Sequence, residues 1–294
     1  MALHFMKSGL RLSLFVAFAG VACTNGGPTP PIGTTQTLIA VGDVASCNSQ
    51  GDEATAALVD GIPGTIILAG DIAYESGTAK EFSDCYDPSW GRHRARTRPA
   101  PGNHEYETPG AAPYYAYFGA NAGPAGRGYY SFDLGDWHIV SLNSNVSAAA
   151  GSAQEQWLRA DLAASDAHCT LAYWHHPVFS SGLHGSQPFM RDIFRALYEF
   201  DADVVIAGHD HHYERFAPQT VDGAADPARG IREFVVGTGG HSLYPTMFAR
   251  ANSERRYSSG YGVLRLELDR EGYRWEFVPV TAGATVDSGT DTCH

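Results

Sequence analysis

Five times in 294 residues, a short apolar run that reads as a β-strand stops at a side chain able to hold a metal ion. The stops are Asp43 in VGDVA, Asp71 and Tyr74 in GDIAY, Asn103 and His104 in GNHE, His175 in YWHHP, and His209 and His211 in GHDHHYER. Strands in an open α/β sheet deliver their last residues to one edge, so these stops can meet there. Glycine before Asp71, Asn103 and His209 lets the backbone leave the strand sharply and aim the next side chain into a cleft. Asp43, Asp71, Tyr74, Asn103, His175, His209 and His211 then offer seven oxygen and nitrogen donors, enough for two adjacent cations. Asp71 is the natural bridge, because a carboxylate has two oxygens to share. A lone Gly-Asp is usually a turn and a lone strand histidine usually a core residue, but five such stops in order are not coincidence.

Hydrophobic periodicity fills in the elements between the stops. Strands are expected at Thr37–Val41, Thr65–Ala69, Thr97–Pro101, Cys169–Trp174 and Ala202–Ala207, and a hairpin at Tyr129–Leu134 and Trp137–Leu142. Helices are expected at Asp52–Asp60, at Ser152–Ala164 with Ser152 as N-cap, and at Phe189–Phe200. Alternating strands at Ile231–Val236, Tyr261–Leu268 and Tyr273–Val280 close the chain. Alternating strand and helix followed by strands alone implies one layered α/β domain, with its site at the carboxyl ends of its strands.

The N-terminus reads as an address. Leu10–Ala22 is apolar, follows Lys7 and includes Arg11, and is too short to span a bilayer, which fits a secretory signal over 1–22. Cys23 would then begin the mature chain and resembles a lipoprotein anchor, although Gly20 stands where such signals usually carry leucine. Residues 23–35, rich in Gly, Pro and Thr, read as a flexible tether before a domain at 36–294. Export gives the cysteines meaning: Cys47, Cys85, Cys169 and Cys293 make two disulfides, with three pairings open. Cys47 with Cys85 would tie two ligand loops together, leaving Cys169 with Cys293 to pin the C-terminal tail. Net charge moves from −12 to −14 once the two basic residues of 1–22 are removed, since that segment has no acidic one. So acidic a chain should repel nucleic acid, while bound cations would keep the site open to small anions.

These motifs resemble the calcineurin-like metallophosphoesterase superfamily and, within it, the purple acid phosphatases. The superfamily pattern opens with Asp-x-His; here the third position is Ala45, and Tyr74 in GDIAY supplies a replacement donor, as in the purple acid phosphatases. The resemblance runs from about Thr35 onward, to a minimal version without the extra N-terminal β-domain of the large plant enzymes. It implies a four-layer α/β/β/α sandwich of two mixed sheets with flanking helices. It assigns Asp43, Tyr74, His211 and bridging Asp71 to one metal, and Asp71, Asn103, His175 and His209 to the other. Tyr74 implies Fe3+ in the first site, and Zn2+, Mn2+ or Fe2+ suits the second. The implied reaction is phosphomonoester hydrolysis by metal-bound hydroxide, with His104 and then His184 as candidates to protonate the leaving group and contact substrate. His241 in the GTGGH turn is a further candidate substrate contact. His176 should pack or hydrogen-bond, and His212 and Glu214 should support the ligand loop. Arg92, Arg94, Arg96 and Arg98 read as a solvated or salt-bridged face, and Tyr114, Tyr115, Tyr117 and Phe118 as packing. The expected partner is a small phosphoester, with a lipid on Cys23 the one route to a membrane and oligomeric state unread. The rival readings are a phosphodiesterase of the same fold and a non-catalytic, metal-binding surface lipoprotein.

Overall fold

The computed structural model describes Met1 and residues 33–283 and 286–294. The rest of the expected signal segment 1–22, Cys23 and the tether as far as residue 32 lie outside the described residues. The first half of the fold runs β1 (Gln36–Val41), α1 (Gly51–Asp60), β2 (Thr65–Ala69), β3 (Thr97–Ala100), β4 (Tyr130–Leu134) and β5 (Trp137–Ser141). It continues with α2 (Ala153–Ala164), β6 (Cys169–Tyr173), α3 (Arg191–Glu199), β7 (Val204–Ala207) and β8 (Tyr213–Phe216). Five strands finish it: β9 (Arg232–Val236), β10 (Ser253–Tyr257), β11 (Gly262–Leu268), β12 (Gly272–Pro279) and β13 (Asp287–Thr292).

Two mixed sheets result, in the orders β13-β12-β11-β1-β2-β3 and β10-β8-β9-β7-β6-β5-β4. β1, β2 and β3 are parallel to one another, as are β5, β6, β7 and β9. Period-two alternation explains the layering. Ile139, Leu171, Tyr173, Val204, Ile206, Phe234 and Val236 join the core shared with the first sheet. Their neighbours Val140, Ala172, Val205 and Val235 join a second core with Leu158 and Leu162 of α2 and Ile193, Phe194 and Leu197 of α3. The far side of the first sheet is covered by Ala56 and Val59 of α1 with Phe82, Tyr86 and Trp90. That is the expected four-layer sandwich. Each fully buried large apolar side chain contributes about 1.5–3 kcal/mol, so the parallel strands that end at the site are its most rigid supports. Ser152 caps α2 as expected, its Oγ accepting from Glu155 N at 3.2 Å.

Three strands escape the periodicity. β8 lies within the HHYER run, β10 is SERRY, and β13 is the wholly polar DSGTDT, an edge strand held by its ladder to β12 and by Asp287. That carboxylate accepts from Tyr213 Oη (2.7 Å), Arg215 Nε (2.7 Å) and Trp275 Nε1 (3.1 Å). Two disulfides, Cys47–Cys85 and Cys169–Cys293, have Cα separations of 4.8 and 5.5 Å. The basic run does not approach the site. Arg92 forks onto Asp60 (2.7 and 2.8 Å), Arg96 donates to the carbonyls of Val59, Ile62 and Gly64, and Arg94 lies over the Tyr117 ring. Tyr114, Tyr117 and Phe118 pack with Phe82 and Tyr86 in an aromatic cluster.

Candidate metal centre

Five strand ends on one edge deliver the site: β1 to Asp43, β2 to Asp71, β3 to Asn103, β6 to His175 and β7 to His209. Asp43, Asp71 and His209 have φ of 61°, 50° and 71°, so three donors are themselves held in the left-handed region. Such backbone costs about 1–3 kcal/mol per residue and persists where the surroundings fix it, typically at functional sites. The expectation that the preceding glycines make these turns is therefore corrected. Only Gly70 has positive φ (79°); Gly102 and Gly208 are there for room. A Cβ on Gly102 would sit 2.0 Å from Asp71 Oδ1, and one on Gly208 2.6 Å from Asp43 Oδ2.

The seven donors form two joined groups. In one, Tyr74 Oη lies 2.8 Å from Asp43 Oδ1, 3.2 Å from Asp71 Oδ2 and 3.3 Å from His211 Nε2, which is itself 3.2 Å from Asp43 Oδ1. In the other, His175 Nε2 lies 3.0 Å from Asp71 Oδ2, 3.1 Å from Asn103 Oδ1 and 3.2 Å from His209 Nδ1. Asp71 belongs to both, where a bridge must be. His175 Nδ1 is 2.8 Å from the Ala69 carbonyl, an acceptor only, so Nδ1 carries a proton and neutral His175 turns a lone pair inward. In that tautomer four potential donors to a metal face one another in a largely buried space, an arrangement that a bound cation satisfies. A single proton satisfies it in part. Burial opposes charge on His175, yet the Asp71 carboxylate raises its pKa to about 9. Burial likewise works against Asp71, but His175 and His104 hold it ionised well below the usual carboxylate range. His209 is pushed far down by burial and by the charge on His175, which leaves its nitrogen free as a ligand. Burial and the charges of Asp43 and Asp71 keep Tyr74 a phenol until a cation replaces its proton. Asp43 and Asp71, both 1% exposed or less, pair with histidine and with no Lys or Arg among the described residues. Hard, anionic and imidazole donors with no protein cation among them fit a pair of metal ions.

Buried carboxylates hold the loops in place. Glu105 accepts from the backbone N–H of Ile72 (2.7 Å), Ala73 (3.2 Å), Asp71 (3.0 Å) and Gly102 (2.7 Å), locking the Asp71–Tyr74 turn to the Asn103 turn. Glu233 accepts from Val178 and Phe179 N after His175, and Asp210 from His184 and Gly185 N. Glu214 takes Ser181 N and Oγ and His212 Nε2, the supporting role expected of it. His211 Nδ1 meets Ser242 Oγ at 2.8 Å, fixing the ring so that Nε2 faces the site.

Four more histidines surround the donors. His104 donates its backbone N–H to Asp71 Oδ1 (2.9 Å), anchors Nδ1 on the Glu75 carbonyl, and holds Nε2 3.7 Å from Asp71 Oδ2. Burial opposes its charge, but Asp71 and the carbonyl bond raise its pKa. His184 is on another flank, its ring 4.5 Å from that of His209. His241 stacks on Tyr74 (3.7 Å, 13° between planes) and reaches Glu75 Oε1 at 3.3 Å. His176 bonds Ser144 Oγ (2.7 Å) and packs on Phe189, and burial pushes its pKa down to about 3. The sequence reading missed Glu105, Glu233, Asp210 and Ser242; only Glu105, three residues after Gly102, carries a local signal.

A family profile described as calcineurin-like phosphoesterase matches residues 37–213. The chain belongs to that family. This calcineurin-like phosphoesterase is also 32% identical over 240 residues to purple acid phosphatase 21 of Arabidopsis thaliana, covering 72% of this chain and 52% of that protein. It thus spans about half the length of that curated relative. The purple acid phosphatase PPD1 from yellow lupin seeds superposes on 90% of this chain and 55% of its own, with a TM-score of 0.80 and 19% identity. GAP50, the anchor in the inner membrane complex of Plasmodium, shares the fold over 88% of this chain and 89% of its own, with a TM-score of 0.69 and 14% identity.

Proposed function

We propose that the chain is an exported phosphatase of the purple acid phosphatase type, hydrolysing small phosphomonoesters at a binuclear metal site. The reading is carried by one observation: Asp71 Oδ2, Asn103 Oδ1 and His209 Nδ1 all converge on His175 Nε2, at 3.0, 3.1 and 3.2 Å. Asp43, Tyr74, His211 and Asp71 would hold Fe3+, since a phenolate is a hard anionic donor. Asp71, Asn103, His175 and His209 would hold Zn2+, Mn2+ or Fe2+. When bound, the pair supplies Lewis acidity at the phosphoryl oxygens and lowers the pKa of water to about 7.

The chain's own residues do the rest. With Nδ1 anchored on the Glu75 carbonyl, His104 can carry its second proton at Nε2, free to pass to the departing alkoxide. His184 and His241, beside the donors, would contact ester oxygens. The fixed loops hold these groups in register, so little reorganisation accompanies reaction. Two disulfides support an oxidising compartment, and among the described residues no helix is long and apolar enough to cross a membrane. A lipid on Cys23 would supply any anchor.

The test compares p-nitrophenyl phosphate with its bis ester on iron- and zinc-loaded protein. The monoester should turn over faster, and His104→Ala should lower kcat by about 10²–10⁴-fold with metal content unchanged. Faster diester turnover would make the chain a phosphodiesterase of the same fold. Two bound metals with no turnover of either would make it a metal-binding surface protein.

A further inference from the structure

The donors and their surrounding histidines leave unexplained an apolar strip beside them. Large apolar side chains in the open are few among the described residues, yet four occur on two segments bordering the site. They are Leu183 (59% exposed), Phe189 (47%), Met247 (53%) and Phe248 (93%). The segments are joined to each other by Met247 N donating to Ser181 O at 2.7 Å, and to the site by Tyr244 N donating to His211 O at 2.9 Å. The Tyr244 ring stacks 4.2 Å from His211 and stands 5.7 Å from His184. Phe189 lies 5.4 Å from His176, whose ring is 4.3 Å from that of His209. Met247 and Phe248 line one hollow with Ser180, Ser181, Gly182 and Arg250, whose Nε donates to the Ser180 carbonyl at 3.3 Å. Phe189 is therefore one ring removed from the second donor group, and Met247 lies three residues beyond Tyr244 on the segment that bonds His211.

The opposite flank has another character. Glu75 (60% exposed) reaches His241, and Glu107 (51% exposed) lies 3.7 Å from His104 Nδ1. Among the described residues no Lys or Arg pairs with Asp43, Asp71 or these two glutamates. On that flank a second phosphate or carboxylate of the substrate would meet acid. An uncharged hydrocarbon would instead lie along the strip, covering surface now open to water.

Resting on the phosphatase reading, we propose that the strip formed by Leu183, Phe189, Met247 and Phe248 receives the alcohol part of the ester. The site then selects monoesters of apolar alkyl or aryl alcohols over those of small polar ones. Hydrolysis balances simply. Water forms a new P–O bond, the ester P–O bond breaks, and one proton goes to the leaving alkoxide, so a neutral apolar alcohol departs.

An n-alkyl phosphate series from ethyl to hexyl tests this, because leaving-group basicity is nearly constant along it. kcat/KM should rise about two- to fourfold per added methylene, chiefly through KM, until the strip is filled. Phe248→Ala and Leu183→Ala, both at exposed positions, should each flatten that slope. A flat series with measurable ethyl phosphate turnover overturns this inference and leaves the phosphatase reading standing. No turnover of any member overturns both. A flat series with apolar-strip-dependent pelleting on lipid vesicles would also overturn it, assigning the strip to a surface instead.

Discussion

Glu105→Gln is the sharpest structural perturbation available. Each carboxylate oxygen accepts two backbone N–H groups: Oε1 those of Ile72 and Ala73, Oε2 those of Asp71 and Gly102. In glutamine one of these oxygens becomes an NH2, so two donors face a donor whichever way the amide turns. A buried donor left unsatisfied costs about 1–3 kcal/mol, or about 2–6 kcal/mol for two. The amide recovers part of this by escaping the carboxylate's burial, which, with the Asp71 charge, raises the Glu105 pKa to about 7. The expected net loss is about 2–4 kcal/mol. Because the freed N–H groups belong to the turns that present Asp71, Tyr74 and Asn103, metal affinity should also fall about 10–100-fold. Urea denaturation of metal-free protein measures the first effect and titration with zinc the second. A stability loss under about 0.5 kcal/mol with unchanged zinc affinity would refute the reasoning.

Other consequences are as direct. Tyr74→Phe should remove the visible phenolate–iron band of iron-loaded protein and weaken the iron site, while zinc held by Asn103, His175 and His209 stays; a retained band would reassign the phenolate. His138 lies 2.9 Å from both Asp133 and Asp161, and although burial opposes its charge, those carboxylates raise its pKa above 6.5. Its stabilisation is therefore full below about pH 6 and lost as pH rises through the raised value, so His138→Gln should lower Tm more at pH 5.5 than at pH 8.5; an equal drop at both would contradict the assignment. Replacing Cys169 and Cys293 by alanine frees a loop with a sequence separation of 124 and should cost about 2–5 kcal/mol by denaturant titration, against no change if the bridge is idle.

The donors were legible because each sits at the end of a local apolar run, where strand and chemistry are written side by side. Their supports were not. Glu233 meets Val178 and Phe179 across 55 and 54 positions, and Asp210 meets His184 across 26, so only folding reveals them. β13 has no apolar residue to betray it and owes its place to Asp287 and the ladder with β12. Apart from β3, the stretch 79–122 lacked a clean period because it is a chain of short helical turns. Its aromatic residues, read as packing, do pack. The layered α/β architecture followed from element order, whereas the pairing of cysteines became certain only with the two strand-end loops side by side.

Metal stoichiometry tests the central claim most directly. Mass-spectrometric metal analysis of purified, iron- and zinc-replete protein should find two ions per chain, and Asp71→Asn, which alters the one carboxylate common to both donor groups, should lose both together. One ion per chain, or an Asp71→Asn protein that keeps two, would contradict the account.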